Sequence, residues 1–355
     1  MEGSNLIQFL TYAAMMASAV FIPIIAQNYG ASPGMIGLVV GIYNAAFLLS
    51  SYSFGLLTDR YGGKYPLRIG LLIATVFFAS QVFTKDINSL LIVRCLAGAA
   101  AGIFPAALAV YAYHEHHGKM GKFTGYGSLG WAIGALIAGL IATNQTNIFL
   151  AAAIFFLAAF LVSLQMDFSF HKPPGALLVP WRLVKRNLRI YLPYFFRSVG
   201  AQTTWAIFPL YLAFTGADML WIGIAYFINT GSQFFIMQWV EKYRNLLLFN
   251  IGLLCSVITF IGYALFPHLP VVLALQLLLA FSFSTLAVGA VQELLGKNIE
   301  QSTAISVLNS IANLTAVVGP FIAGILLELY GFAGVMWFGA LASFVGLISF
   351  TTVLE

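Results

Sequence analysis

Arg94 and Arg197 each fall inside an apolar run long enough to cross a bilayer, and no Asp or Glu lies deep in any such run of the chain. A guanidinium taken out of water needs a planar anion or several oxygen acceptors. Without an internal carboxylate, these two arginines could meet an anionic solute or backbone carbonyls. Arg94 equally suits a structural or coupling role, and Arg197 could snorkel toward the nearer interface. Uncharged polar groups accompany them. Tyr226, Asn229, Thr230 and Gln233 fall at i, i+3, i+4 and i+7 on one helical face, and Ser306, Asn309, Ser310 and Asn313 repeat that spacing. Asn44 and Gln202 stand alone near the middle of their apolar runs. Polar residues at membrane depth either line a pathway or hydrogen-bond a neighbouring helix, and both readings stay open.

Other chemistries are poorly represented. His114-Glu115-His116-His117 lacks the His-Glu-x-x-His spacing that puts two imidazoles on one helix face, and it reads as a solvated loop. No Gly-Lys-Ser/Thr phosphate loop and no constellation of nucleophile, base and metal ligands is present, so the sequence predicts neither an enzyme nor a resident metal or cofactor. Cys95 and Cys255 both lie in apolar runs and read as packing residues.

The elements that must hold these residues follow from composition. Of 355 residues, 61% are hydrophobic and 8% charged, against roughly 25% charged in an ordinary soluble domain. A soluble globular protein is excluded. Six apolar windows lie in the first half (6–27, 34–58, 67–84, 89–113, 124–143 and 148–166) and six in the second (190–214, 219–240, 246–266, 271–294, 303–327 and 335–354). Each approaches the ~20 residues that a helical span needs. Thirteen of the sixteen Lys and Arg fall on one set of alternate loops, and only Lys85 on the other. Positive loops stay on the cytoplasmic side, which places both termini there. No basic run interleaved with aromatics suggests nucleic acid, despite the net charge of +5.

The halves repeat one another. Asp59-Arg60-Tyr61 and Ile69-Gly70-Leu71-Leu72 match Glu241-Lys242-Tyr243 and Ile251-Gly252-Leu253-Leu254 at an offset of 182. Pro23, Gly30, Ile36 and Gly37 match Pro209, Gly216, Ile222 and Gly223 at 186, and Gly134 and Gly139 match Gly319 and Gly324 at 185. An even number of spans per copy gives both copies one orientation, so they are expected to be related by an axis along the membrane normal.

Between the second and third spans runs Gly55-Leu-Leu-Thr-Asp59-Arg60-Tyr-Gly62-Gly63-Lys64, a tight charged turn on the cytoplasmic side. This run resembles the loop signature of the major facilitator superfamily, departing from it at Gly63, where the family carries a basic residue. Lys64 or Arg68 stands in the place to substitute. Glu241-Lys242-Tyr243-Arg244 is similar to its degenerate second copy. Arg94-Cys-Leu-Ala-Gly98-Ala-Ala-Ala-Gly102 is similar to the family's helix-4 signature, and Gly127, Gly130 and Gly134 form a small-residue ridge in helix 5. The family's antiporters carry Gly-Pro in helix 5. Here Gly130-Trp131 stands there, and Gly-Pro occurs at Gly319-Pro320 in helix 11, which weakens the sequence signature for export.

The resemblance implies an all-α membrane protein of twelve transmembrane helices. Two six-helix bundles, 1–167 and 190–355, would be joined by a cytoplasmic linker, 168–189, and related by a pseudo-twofold axis along the membrane normal. It further implies that helices 1, 4, 7 and 10 line the pathway, putting Arg94, Arg197, Gln202 and Ser282 nearest the substrate. Helix 2 would meet helix 11, helix 5 would meet helix 8, and the Asp59 loop would close against helix 11 on the inside. The expected function is secondary transport of a small organic or amphiphilic solute across the cytoplasmic membrane by alternating access, with efflux suggested by a chain in which 15% of residues are aromatic. The alternatives are an organic-anion carrier using Arg94 and Arg197, and a membrane receptor or scaffold that keeps the fold without transporting. The partners implied are the lipid bilayer and a small molecule, with the chain acting as a monomer. Protons are a candidate coupling ion only through Asp59, Glu115 or Glu293 near the cytoplasmic ends. Because the loop should act on the conformational equilibrium, Asp59→Asn is expected to slow transport more than it weakens binding. An unchanged vesicle transport rate with much weaker ligand binding would remove the loop from that role.

Overall fold

The computed structural model describes residues 2–116, 121–166, 181–240, 242–243, 245–299 and 301–352. Glu241, Arg244 and most of the expected linker lie outside these residues, as do the side chains of Asp59 and Arg60.

Span 1 is two helices, α1 (Gly3–Ala19) and α2 (Ile22–Asn28), followed by α3 (Pro33–Tyr61), α4 (Lys64–Ser80), α5 (Ile87–Ile103), α6 (Pro105–Glu115), α7 (Gly121–Ile141) and α8 (Gln145–Leu164). The second half holds α9 (Trp181–Arg186), α10 (Leu188–Phe214), α11 (Met219–Val240), α12 (Asn245–Leu265), α13 (Leu269–Lys297) and α14 (Gln301–Thr352). Spans 1 and 4, each expected as one helix, are broken ahead of Pro23 and Pro105, which sit in the first turns of α2 and α6. Proline is suited to that position because the N–H it lacks would be unpaired there in any case. Conversely, spans 11 and 12 run together as α14, divided by Gly331 at φ 64° and ψ −166°.

Among the described residues, ten helical segments are long and apolar enough to cross a membrane. α10 is not one of them, because Arg189, Arg197, Gln202, Thr203 and Thr204 lower its hydropathy, yet most of its residues are buried. Counting α10, and counting the two arms of α14 separately, gives the twelve spans of the sequence reading. The protein is an integral membrane protein.

Two compact units form. The first contains 1–31, 42–176 and 218–231, and the second contains 32–41, 177–217 and 232–355. In the first, α1 packs on α7 and α8, and α4 packs on α8 and α5. Phe78, Phe104 and Phe156 close its core, with ring centroids 4.5 and 6.0 Å apart. The glycine ridge of α7 lies on α1: a methyl on Gly130 would strike the Phe9 carbonyl, and one on Gly134 would strike that of Ala13. In the second unit, α10 packs on α14, and α12 lies against α13 and α14.

The internal repeat is visible in backbone detail. Gly30 and Gly216 end α2 and α10 at φ 78° and 91°. In both, the following amide returns to a carbonyl five residues back, Ala31 to Ala26 and Ala217 to Leu212, each at 3.0 Å. This is the paired C-terminal closure that a left-handed glycine permits. Ser32 and Asp218, also 186 apart, then cap the next helices through Met35 N at 3.3 Å and Trp221 N at 2.8 Å.

Two glycine crossings explain which short segments join which unit. Gly37 of α3 meets Pro320 and Gly324 of α14, where a Cβ on Gly37 would lie 3.1 Å from Gly324 Cα. Gly139 of α7 meets Gly223 of α11 at the same 3.1 Å. The start of α3 therefore belongs with α14, and the start of α11 with α7.

Crowding separates the glycines by cost. At Gly134 an added Cβ would stand 2.8 Å from Ala13 Cα, while at Gly55 its nearest neighbour is Ala106 at 3.8 Å. Gly134→Ala is expected to destabilise the detergent-solubilised protein by about 1–3 kcal/mol through overpacking. Gly55→Ala should leave the thermal midpoint within about 1 °C, because surface-like substitutions stay within ±0.5 kcal/mol.

Candidate functional site

Arg94 is carried by α5, whose start is fixed by Asp86. The Asp86 carboxylate accepts the Ser89 N–H at 2.8 Å while the Ser89 hydroxyl lies 3.2 Å from the Asp86 N–H. That hydrogen bond from the Ser89 backbone holds the Asp86 pKa below its ordinary value. Eight residues on, about 12 Å along the axis, Arg94 is 2% exposed. Its Nη1 lies 3.4 Å from both Ser18 Oγ and Gln81 Oε1, and Ser18 donates to that same Gln81 oxygen at 3.1 Å. Its Cζ stands 4.0 Å from the centroid of the Tyr43 ring. Its Nε is buried without an acceptor among the described residues. Among the described residues the cation is thus held by two long hydrogen bonds and an aromatic face, with no anion, an arrangement that leaves part of its desolvation uncompensated.

The positions 182 residues on from Gln81 and Arg94 are Tyr263 and Gln276. They also meet, Gln276 Nε2 donating to the Tyr263 hydroxyl at 2.8 Å. The repeat therefore conserves an interhelical hydrogen bond at this place, and only the first half superimposes a charge on it.

Arg197 is 4% exposed on α10. It turns sideways into its unit instead of snorkelling along its helix. Nε donates to Ser256 Oγ at 2.8 Å, Ser256 and Ser282 share a hydrogen bond of 2.6 Å, and Ser282 donates to the Gly252 carbonyl at 2.7 Å. Ser282, expected beside the substrate, is wholly buried between α12 and α13. The Arg197 guanidinium also lies 5.7 Å from the Phe283 ring centroid.

The two polar stripes, alike in sequence, differ in structure. On α11, Asn229, Thr230, Tyr226 and Gln233 are all buried. On α14, Ser306, Asn309 and Ser310 are exposed and Asn313 is half-buried. Asn44 on α3 and Gln202 on α10 are half-buried. The Gln202 Cβ faces Gly319, where a Cβ would approach it to 2.6 Å.

Among the signature residues, Gly62 ends α3 at φ 89° and Lys64 opens α4 exposed. Gly98 presses on the Tyr43 carbonyl, and Pro320 lends its carbonyl to the Gly37 crossing. Arg68, one candidate to replace the missing loop cation, donates instead to the carbonyls of Ser163, Leu164 and Met166 at 3.1–3.2 Å. It caps the end of α8, where the helix dipole favours a cation. Glu293 pairs with Lys297 at 2.6 Å. The expected solvated loop at His114–His117, of which His117 lies outside the described residues, is in part a built cluster: His116 is 7% exposed in its side chain and faces Glu2, Ser4, Asn5 and Glu115.

Tyr43, Ser18, Gln81 and Ser256 escaped sequence reasoning. No spacing rule links positions on different helices. The available signal was general: a buried cation needs acceptors, and these are among the few polar groups in the neighbouring windows.

Residues 5–299 match the sequence profile of the Major Facilitator Superfamily. The chain belongs to the Major Facilitator Superfamily. Within this superfamily it is 28% identical over 223 residues to the multi-drug resistance efflux pump PmrA of Streptococcus pneumoniae, an alignment covering 58% of this chain and 56% of that protein. It is 30% identical over 156 residues to the multidrug resistance protein MdtG of Proteus mirabilis, covering 42% and 39%. The chain thus spans only about half the length of the curated relatives it matches. Among solved structures, the nucleoside transporter NupG is similar with a TM-score of 0.77 at 12% identity, covering 99% of this chain and 98% of that one. The human organic anion transporter MFSD10 is similar with a TM-score of 0.72 at 15% identity, covering 98% of each. At such identities the likeness is one of fold.

Removing the acceptor nearest Arg197 tests how its charge is held. Ser256→Ala is expected to cost about 1.5–3 kcal/mol of stability, the range for a hydrogen bond to a charged group. Thermal unfolding in detergent reads it, and a loss below about 0.5 kcal/mol would show that other groups carry the guanidinium.

Proposed function

We propose that this chain is a secondary transporter that moves a small organic, amphiphilic solute across the cytoplasmic membrane by alternating access, in the direction of efflux. The observation that carries this reading is the open polar stripe of α14. Ser306, Asn309 and Ser310 are exposed on a helix apolar enough to span a membrane. Exposed polar side chains in the first turns of a spanning helix suit contact with water, a solute or another helix better than contact with lipid. Uncharged hydroxyl and amide groups suit neutral or amphiphilic compounds. The efflux pumps PmrA and MdtG among the relatives support the same class. The rigid bodies of the cycle would be the two six-helix bundles, 1–167 and 190–355. The distribution of Lys and Arg supports an orientation with both termini in the cytoplasm.

A second reading rests on Arg94 and Arg197, two buried cations with no carboxylate hydrogen-bonded to them among the described residues. An organic anion would supply the missing countercharge at either one. The fold it shares with the organic anion transporter MFSD10 is compatible with that cargo.

A thermal-shift screen of the purified protein against anionic, neutral and cationic amphiphiles, with Arg197→Gln in parallel, separates the two. A ligand that binds only the folded state stabilises by about 2.7 kcal/mol at a hundredfold excess over its Kd. Neutral or cationic amphiphiles that stabilise both proteins equally, and that cross vesicle membranes only when the protein is present, are the expected result. Stabilisation by anions alone, abolished in the variant, would replace efflux with anion transport. Binding without any flux would reject transport for a receptor role.

A further inference from the structure

The end of the first unit that carries the N-terminus holds a cluster with no part in the reading above. His116 closes α6 as its C-terminal cap. Its Nδ1 lies 3.2 Å from Glu2 Oε2, and its Nε2 lies 3.1 Å from Asn5 Oδ1, 3.2 Å from Ser4 Oγ and 3.8 Å from Glu115 Oε2. The orientation of each neighbour is fixed. Asn5 Nδ2 donates to Glu2 at 2.7 Å, which turns the Asn5 oxygen toward the ring, and the Ser4 hydroxyl donates to Glu115, which turns its lone pairs the same way. Both ring nitrogens therefore face acceptors. A neutral imidazole has a single N–H and can serve only one side, leaving a lone pair against an oxygen on the other, whereas the protonated ring donates from both.

The repeat supplies an internal control. His116 and Asn5 correspond, at an offset of 182, to Asn298 and Asn187. Asn298 caps α13 as His116 caps α6. The two asparagines bridge the start of α10 to the end of α13 by reciprocal amide bonds of 2.9 and 3.0 Å. One tie between the equivalent helices thus occurs twice, in the second half through an amide pair whose Asn298 oxygen also accepts from Arg186 Nε at 2.9 Å, and in the first through an ionisable ring.

We propose that His116, with Glu2, Ser4, Asn5 and Glu115, forms a proton-binding latch that joins the start of α1 to the end of α6. Proton uptake tightens α1 against its unit, and proton loss frees its first turns. Among the described residues, the charged groups facing the ring are Glu2 from α1, with Lys122 of α7 behind it at 3.9 Å, and Glu115 from α6. His114 is exposed and lies against Tyr113. Between pH 5.5 and 7.5 ordinary carboxylates and lysines keep their charge, so an imidazole is the group that changes. The latch stands independently of any transported solute.

Hydrogen exchange of the full-length protein in detergent tests it, read on the amides of residues 4–11 at both pH values and corrected for intrinsic exchange. Wild type is expected to be about fivefold better protected at pH 5.5 than at pH 7.5, the factor that corresponds to about 1 kcal/mol. His116→Asn, which installs the residue of the second half, should abolish that ratio, and His114→Asn should keep it. Glu2→Gln retains the ring but removes the charge at Nδ1, and should lower the ratio to about twofold. Equal protection at both pH values in wild type, or a ratio that survives in His116→Asn, would overturn the latch. Should His116→Asn not fold, His116→Gln and Glu2→Gln decide in the same way. Since no substrate enters the measurement, its failure is separate from failure of the transport reading.

Discussion

The closest constraint in this molecule is backbone meeting backbone where helices cross at glycine. Inside a bilayer the lipid tails are as apolar as the side chains, so helix association depends on close approach, dispersion and hydrogen bonding. At Gly37, Gly98, Gly130 and Gly134 an added methyl would overlap a carbonyl of the neighbouring helix. Such contacts cannot be repacked by changing a rotamer. They fix which helices are neighbours, and through the Gly37–Gly324 and Gly139–Gly223 crossings they decide the membership of each compact unit.

That packing creates the second tension, between burial and charge. A helix held backbone to backbone has little room for large acceptors, and Arg94 and Arg197 meet small polar groups and aromatic faces that compensate their burial only in part. The duplicated chain solves the same geometric problem differently in its halves. Where the first half places Arg94 on Gln81 and His116 on Asn5, the second places Gln276 on Tyr263 and Asn298 on Asn187. At both places the tie between equivalent helices is kept while the groups that make it differ.

Span count, repeat offsets and the small-residue ridge were legible from periodicity because lipid imposes length and close packing imposes glycine. The Gly37–Gly324 and Gly139–Gly223 crossings join positions that the repeat makes equivalent, 37 with 223 and 139 with 324, so each follows from the other once the partner helices are known. Breaks at Pro23 and Pro105 were visible as prolines but not as interruptions, since an apolar window averages over a proline that fits the first turn of a helix. The surroundings of the arginines were not legible, because Tyr43 and Ser256 reach them across helices and local spacing carries no such information. The His116 cluster was missed for the opposite reason: polar residues at a span's end look solvated in sequence, and only the fold brings residues 2–5 beside 115 and 116.

The lone positive charges have a consequence at the level of the whole membrane. Any conformational step that carries a guanidinium through part of the bilayer's electric field performs electrical work, about 2.3 kcal/mol per elementary charge and 100 mV for the full thickness. Serines, glutamines and aromatic rings near Arg94 and Arg197 do not cancel that work as a carboxylate would. Displacing either residue by even a third of the field therefore ties the populations of the protein's conformers to the membrane potential, making these arginines voltage-dependent weights on the equilibrium whatever solute the pathway accepts.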